Sequence, residues 1–123
     1  MQYQKNEIPI IEDDSNTTIY KIPQFVVDNS IILKLPIQYY FKEKPNTIFI
    51  PTHLLILSRA RGIGIENALI KMDEAARGLR PRRNPISVSR RNDGRYLVLD
   101  GNSTTIVAVA AGWRTLPGIL DSP

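Results

Sequence analysis

The chain has 123 residues, 42% of them hydrophobic and 23% charged, which supports one hydrophobic core and no more. It contains no cysteine and a single histidine, His53, so thiol chemistry, disulfides, cysteine-ligated zinc and multi-histidine metal sites are excluded and no metal-ligand set is expected. Sixteen basic against twelve acidic residues give a net charge of +4, a mild excess whose placement says more than its size.

The opening stretch MQYQKNEIPIIEDDSN is polar and charged where a signal peptide needs a continuous apolar run. No run of about 18 apolar residues occurs anywhere, so no membrane partner is expected. These features predict a protein of the reducing cytoplasm, with Glu12-Asp13-Asp14 as part of a solvated tail. From residue 17 to 49, short runs rich in β-branched and aromatic residues (17–22, 25–27, 31–35, 37–41) are interrupted by Pro23, Pro36 and Pro45. They predict short or edge strands, so residues 1–46 read as a β-rich extension packed on a core formed by residues 47–123.

That core begins with a strand at Thr47-Ile48-Phe49-Ile50-Pro51, followed by a turn carrying Arg59 and Arg61. Ile65, Ala68, Leu69, Met72, Ala75 and Ala76 then recur at helical spacing, predicting a helix over 64–77 closed by Gly78. Ile86 and Val88 alternate with polar residues, Asn92-Asp93-Gly94 follows, and Arg95-Tyr96-Leu97-Val98-Leu99 comes next, which is a hairpin signal. An alanine-rich helix from about Ser103 to Ala111 and a last short strand complete the order strand, helix, hairpin, helix, strand. The fold class is therefore α/β (α+β): a small mixed sheet with two main helices.

Seven arginines stand against one acid, Asp93, between positions 77 and 95. Guanidinium groups offer phosphate a planar fork of donors that stays charged at any working pH. Arg82, Arg83, Arg90, Arg91 and Arg95 are thus candidate contacts to DNA phosphates, against the plainer reading of a solvated hairpin face. A second candidate is the turn Asp100-Gly101-Asn102-Ser103-Thr104, where a strand passes through glycine into a helix. Free N–H groups and the helix dipole attract anions there. Gly101 permits close approach, and Asn102, Ser103 and Thr104 supply polar groups at the rim, although Asn102 or Ser103 can equally be a helix cap. The turn is neither a Walker loop nor a dinucleotide fingerprint.

Taken together, Pro85-Ile86-Ser87-Val88, Asp93-Gly94-Arg95-Tyr96, Val98-Leu99-Asp100-Gly101-Asn102-Ser103-Thr104, Ala110-Ala111-Gly112-Trp113 and Leu116-Pro117 resemble the signature of ParB/sulfiredoxin-like domains. The likeness spans roughly residues 47 to 120. It is nearest to a branch carrying Asp-Gly-Asn-Ser-Thr that often occurs inside larger toxin-like or phage proteins. The resemblance implies a site for ATP, CTP or another nucleotide, with magnesium and with NTP hydrolysis or phosphoryl transfer as the available chemistry. The alternative is a non-enzymatic DNA-associated or protein-interaction module with a vestigial pocket.

Relatives end the turn in His-Arg or Arg-Arg, where this chain has Ser103 and Thr104, so a main phosphate clamp is missing. Arg59 and Arg61 are expected to replace it from the opposite wall. The sulfiredoxin cysteine would fall at Asn102, which excludes that activity. Asp100, the candidate catalytic residue, can hold magnesium, accept a proton or brace the turn.

Overall fold

A computed structural model describes residues 6–13, 16–60 and 62–121. Seven strands form one mixed sheet: β1 (Glu7–Asp13), β2 (Asn16–Lys21), β3 (Ile48–Pro51), β4 (Leu55–Leu57), β5 (Ile86–Arg90), β6 (Tyr96–Asp100) and β7 (Thr115–Leu120). Their spatial order is β2-β1-β4-β6-β5-β7-β3. Three helices accompany the sheet: α1 (Gln24–Ser30), α2 (Gly62–Ala76) and α3 (Asn102–Ala110). The chain is thus a mixed α/β protein, and no helix among the described residues is long and apolar enough to cross a membrane.

The second half follows its sequence pattern closely. Helix α2 buries Ile65, Ala68, Met72 and Ala75. It ends where Gly78 takes φ +78° and the Leu79 N–H reaches back to the Glu74 carbonyl at 2.9 Å, the bonding that lets glycine close a helix. The hairpin turns through Asn92, Asp93 and left-handed Gly94 (φ +86°), with the Arg91 N–H bonded to the Arg95 carbonyl at 2.8 Å. Strand β4 is the piece that alternation could not reveal. Leu55, Ile56 and Leu57 are all fully buried because β4 runs parallel to both β1 and β6, covered on both faces.

The first half departs from expectation in four places. Residues 25–27 lie in α1, not in a strand: Pro23 has no N–H to continue a ladder, and the chain turns so that Val26 and Ser30, one helical turn apart, face the core. Residues 31–35 make turns whose backbone groups are met by side chains. The Trp113 indole donates to the Leu33 carbonyl (3.1 Å), and the Leu35 N–H donates to the Tyr40 hydroxyl (3.1 Å). At 37–41 a single 3-10 turn follows Pro36.

The expected N-terminal tail is instead strand β1 as far as Asp13, with Ile8 buried; Asp14 lies outside the described residues. Through the β1–β4 pair the hairpin of β1 and β2 belongs to the same sheet as the rest. Ile8, Ile22, Val26, Tyr40 and Phe41 share one hydrophobic cluster with Leu57, Met72, Val98 and Ile106.

Candidate functional site

Because β4 and β6 are parallel, Ser58 and Asp100 emerge at the same end of the sheet, while antiparallel β5 begins there with Ile86. Ligands of open α/β sheets gather at such carboxyl ends. The β5–β6 ladder shifts register next to this end, with Ser87 opposite Asp100 and Val88 opposite Val98, so Leu99 is the extra residue of a bulge. A bulge redirects the strand just before the turn. Gly101 then takes φ +99° and ψ 22° as the residue before α3, where no side chain caps the helix. Its lack of a side chain is also required sterically: a Cβ would sit 2.6 Å from Ile86 Cγ2.

The rim expected of Asn102 is not its role here, because its side chain turns inward and is 96% removed from solvent. Its Oδ1 accepts the Ser58 N–H at 2.9 Å, and its Nδ2 donates to Ser58 Oγ at 3.0 Å and to the Val98 carbonyl at 3.4 Å. Ser58 Oγ in turn donates to the Val98 carbonyl at 2.8 Å. This clasp ties the end of β4 to the start of α3. The first helical N–H to find its acceptor is that of Thr105, bonded to the Gly101 carbonyl at 2.9 Å. The N–H groups ahead of it have no side-chain acceptor and face outward, as the first turn of a helix must.

Beside this helix start lies a cavity of about 340 Å³ lined by Asp100, Gly101 and Thr104 from the turn, Lys71 from α2, and Arg80, Arg82 and Arg83 from the segment entering β5. Four cationic side chains thus meet one carboxylate. Arg80 is engaged by Glu74 at 2.8 Å. Lys71, Arg82 and Arg83 have no carboxylate partner among the described residues. Arg83 is held in register from a distance: its N–H donates to the Tyr40 carbonyl and its carbonyl accepts from the Lys42 N–H, both at 2.8 Å, bridging Phe41. Phe41 and Tyr40 are buried against the Trp113 ring, at 6.2 and 5.1 Å between centroids.

Thr104 is only 3% exposed, and its hydroxyl makes no hydrogen bond to any described residue. No side-chain nitrogen or oxygen among those residues is both sealed from solvent and unpaired, so this hydroxyl is not fully sealed.

No family model and no curated protein matches the chain.

The remaining sequence-predicted site residues fall into three groups. Ser103 is partly exposed and does not line the cavity. Arg59 is exposed and is also absent from the lining, so the described cations opposite the turn come from α2 and the 80–83 segment; Arg61 lies outside the described residues. The arginine set divides in two. Arg82 and Arg83 join the turn, whereas Arg90, Arg91 and Arg95 lie at the hairpin end, four residues along β6 or about 13 Å away.

At that end Asp93 accepts the Arg95 side chain at 2.7 and 2.9 Å and Arg91 Nε at 3.4 Å. The Arg95 side-chain hydrogen bond, reinforced by the Arg95 N–H and both positive charges, lowers the Asp93 pKa to about 2. Arg90 lies 6.0 Å from the Tyr96 ring centroid.

Lys71 and Ser58 are absent from the sequence reading. Lys71 was legible as the one basic residue of α2, but nothing local says where it points. A larger hollow of about 560 Å³ lies at the opposite end of the sheet between Glu7, His53, Trp113 and Arg114. It adjoins the carboxyl end of α3, whose outward carbonyls disfavour anions.

Proposed function

We propose that the chain is a phosphate-binding domain of ParB/sulfiredoxin-like type whose ligand is a nucleotide. The observation that carries this reading is the convergence of an uncapped helix start at Gly101 with Lys71, Arg82 and Arg83, which have no acidic partner among the described residues, in a cavity of a size suited to a small ligand. Glycine allows the phosphate to approach backbone donors, and the three cations supply the clamp that Ser103 and Thr104 cannot. The order β3, β4, α2, β5–β6 hairpin, α3, β7 contains the strand, helix, hairpin, helix, strand succession on which the family likeness rests.

Any hydrolysis or phosphoryl transfer here would act through positioning and charge neutralisation, with Asp100 as the one carboxylate among the described residues that line the cavity. DNA association through the hairpin is the less favoured reading, since Asp93 holds two of its three arginines.

Isothermal titration with ATP, CTP, GTP and their diphosphates, alongside the unphosphorylated nucleosides, tests the proposal. Nucleotides should bind and nucleosides should not. No heat of binding from any nucleotide up to millimolar concentration would overturn it.

A further inference from the structure

Helix α2 carries a second face that its packing does not use. Its core stripe is Ile65, Ala68, Met72 and Ala75, whereas Ile63, Glu66, Ile70 and Asp73 recur at helical spacing along another side, apolar and acidic in turn. Beside that face a groove of about 370 Å³ runs between α1 and α2. Val26, Ile65 and Leu69 form its more buried part, and Phe25, Ile32 and Ile70 border it while remaining 48, 51 and 53% exposed. Large apolar side chains left half in water around one groove mark an interaction surface.

The lining selects the occupant. The ionisable residues that line the groove are both acids, Glu66 and Asp73, in a chain whose net charge is +4. Glu66 makes no ion pair or side-chain hydrogen bond with a described residue. Asp73 meets Arg77 at 3.2 Å, but that pair is exposed and one turn apart, so it contributes little and is easily exchanged for another cation. The two acids repel nucleic acid and anionic membranes. They also oppose a second copy of the chain: antiparallel α2 helices crossing at Leu69 and Ile70 would set Glu66 of each against Asp73 of the other. Because helices form both sides of the groove, it offers an added strand no open ladder, whereas a helix can lay one face of side chains into it.

We infer that the α1–α2 groove docks an amphipathic helix of a partner protein, whose apolar face fills the groove and whose lysines or arginines meet Glu66 and Asp73. This does not depend on the phosphate-binding reading.

The test uses two short labelled helical peptides with their leucines on one face, one built of leucine and lysine and the other of leucine and glutamate, followed by fluorescence anisotropy. Wild type should bind the lysine peptide more tightly, although the net charge of +4 favours the reverse order. Ile70→Ser should weaken that binding about fivefold, the scale of burying the exposed half of an isoleucine side chain. Glu66→Lys should weaken it about fivefold, an exposed attraction turned into repulsion, and should strengthen binding of the glutamate peptide. Both positions are exposed, so the fold tolerates the changes, which circular dichroism checks. Amide chemical-shift changes caused by the lysine peptide should fall in α1 and α2.

A preference for the glutamate peptide, no binding of the lysine peptide at millimolar concentration, indifference to both substitutions, or shifts centred on the β5–β6 hairpin or the turn from Asp100 to Thr104 would each overturn the inference. So would a wild-type dimer in sedimentation that Ile70→Ser dissociates, or flotation with phosphatidylglycerol vesicles that Ile70→Ser abolishes, since the occupant would then be a second copy or a membrane.

Discussion

Replacing Asn102 by alanine separates a residue that holds the site together from one that touches ligand. The substitution removes the acceptor of the Ser58 N–H and the donor to Ser58 Oγ, at 2.9 and 3.0 Å, in a side chain that is 4% exposed. Two such hydrogen bonds contribute about 1 kcal/mol each, and leaving the Ser58 N–H without a partner adds about 1 kcal/mol or more. A loss of about 3 kcal/mol follows. With an unfolding entropy near 2.1 cal/mol/K per residue, this lowers the melting temperature by about 10 °C. Thermal unfolding followed by circular dichroism measures it directly. Ser103→Ala is the matched control, because that partly exposed neighbour makes no side-chain hydrogen bond to a described residue; it should stay within about 0.5 kcal/mol of wild type. If Asn102→Ala melts within about 2 °C of wild type, the side chain is not a clasp, and the ligand-facing role suggested by its place in the motif returns.

Gly101→Ala should destabilise the fold by about 2 kcal/mol or more in urea unfolding, since it forces a side chain into a left-handed backbone and against Ile86; near-wild-type stability would contradict the turn geometry. Lys71→Ala and Arg83→Ala should each weaken nucleotide binding by about 1.5–3 kcal/mol in calorimetry, the scale of a charge-assisted hydrogen bond. Arg59→Ala, outside the cavity lining, should leave binding unchanged. Because the Asp93 pKa is depressed in the folded hairpin, its stabilising contribution is complete above the ordinary carboxylate value near 3.8 and is lost as pH falls towards about 2. Urea unfolding of wild type against Asp93→Asn across pH 5 to 2 should therefore show a difference that shrinks as pH falls, and a difference that grows would refute this assignment.

Features specified by neighbours in sequence were legible. The α2 stripe from Ile65 to Ala75, the left-handed Gly78 and Gly94, and the strand-to-helix passage at Gly101 all follow from spacing and from the conformations glycine permits. Where a tertiary partner decides, local pattern fails. Val26 and Val27 have strand propensity, yet the segment is helical because that brings Val26 and Ser30 together onto the core.

The site obeys the same division. The strand-to-helix turn at Asp100-Gly101 is a local motif and could be read. The identity of its cations could not, because Arg83 reaches the cavity through a bridge to Phe41, forty-two positions earlier in the chain, and Arg59 stays outside although it follows Ser58, which the turn itself holds. The first forty-six residues, which offered no chemistry to a sequence reading, thus contribute through Tyr40, Phe41 and Lys42 to where Arg83 stands. Perturbing that segment should consequently be felt at the ligand even though none of those three side chains lines the cavity.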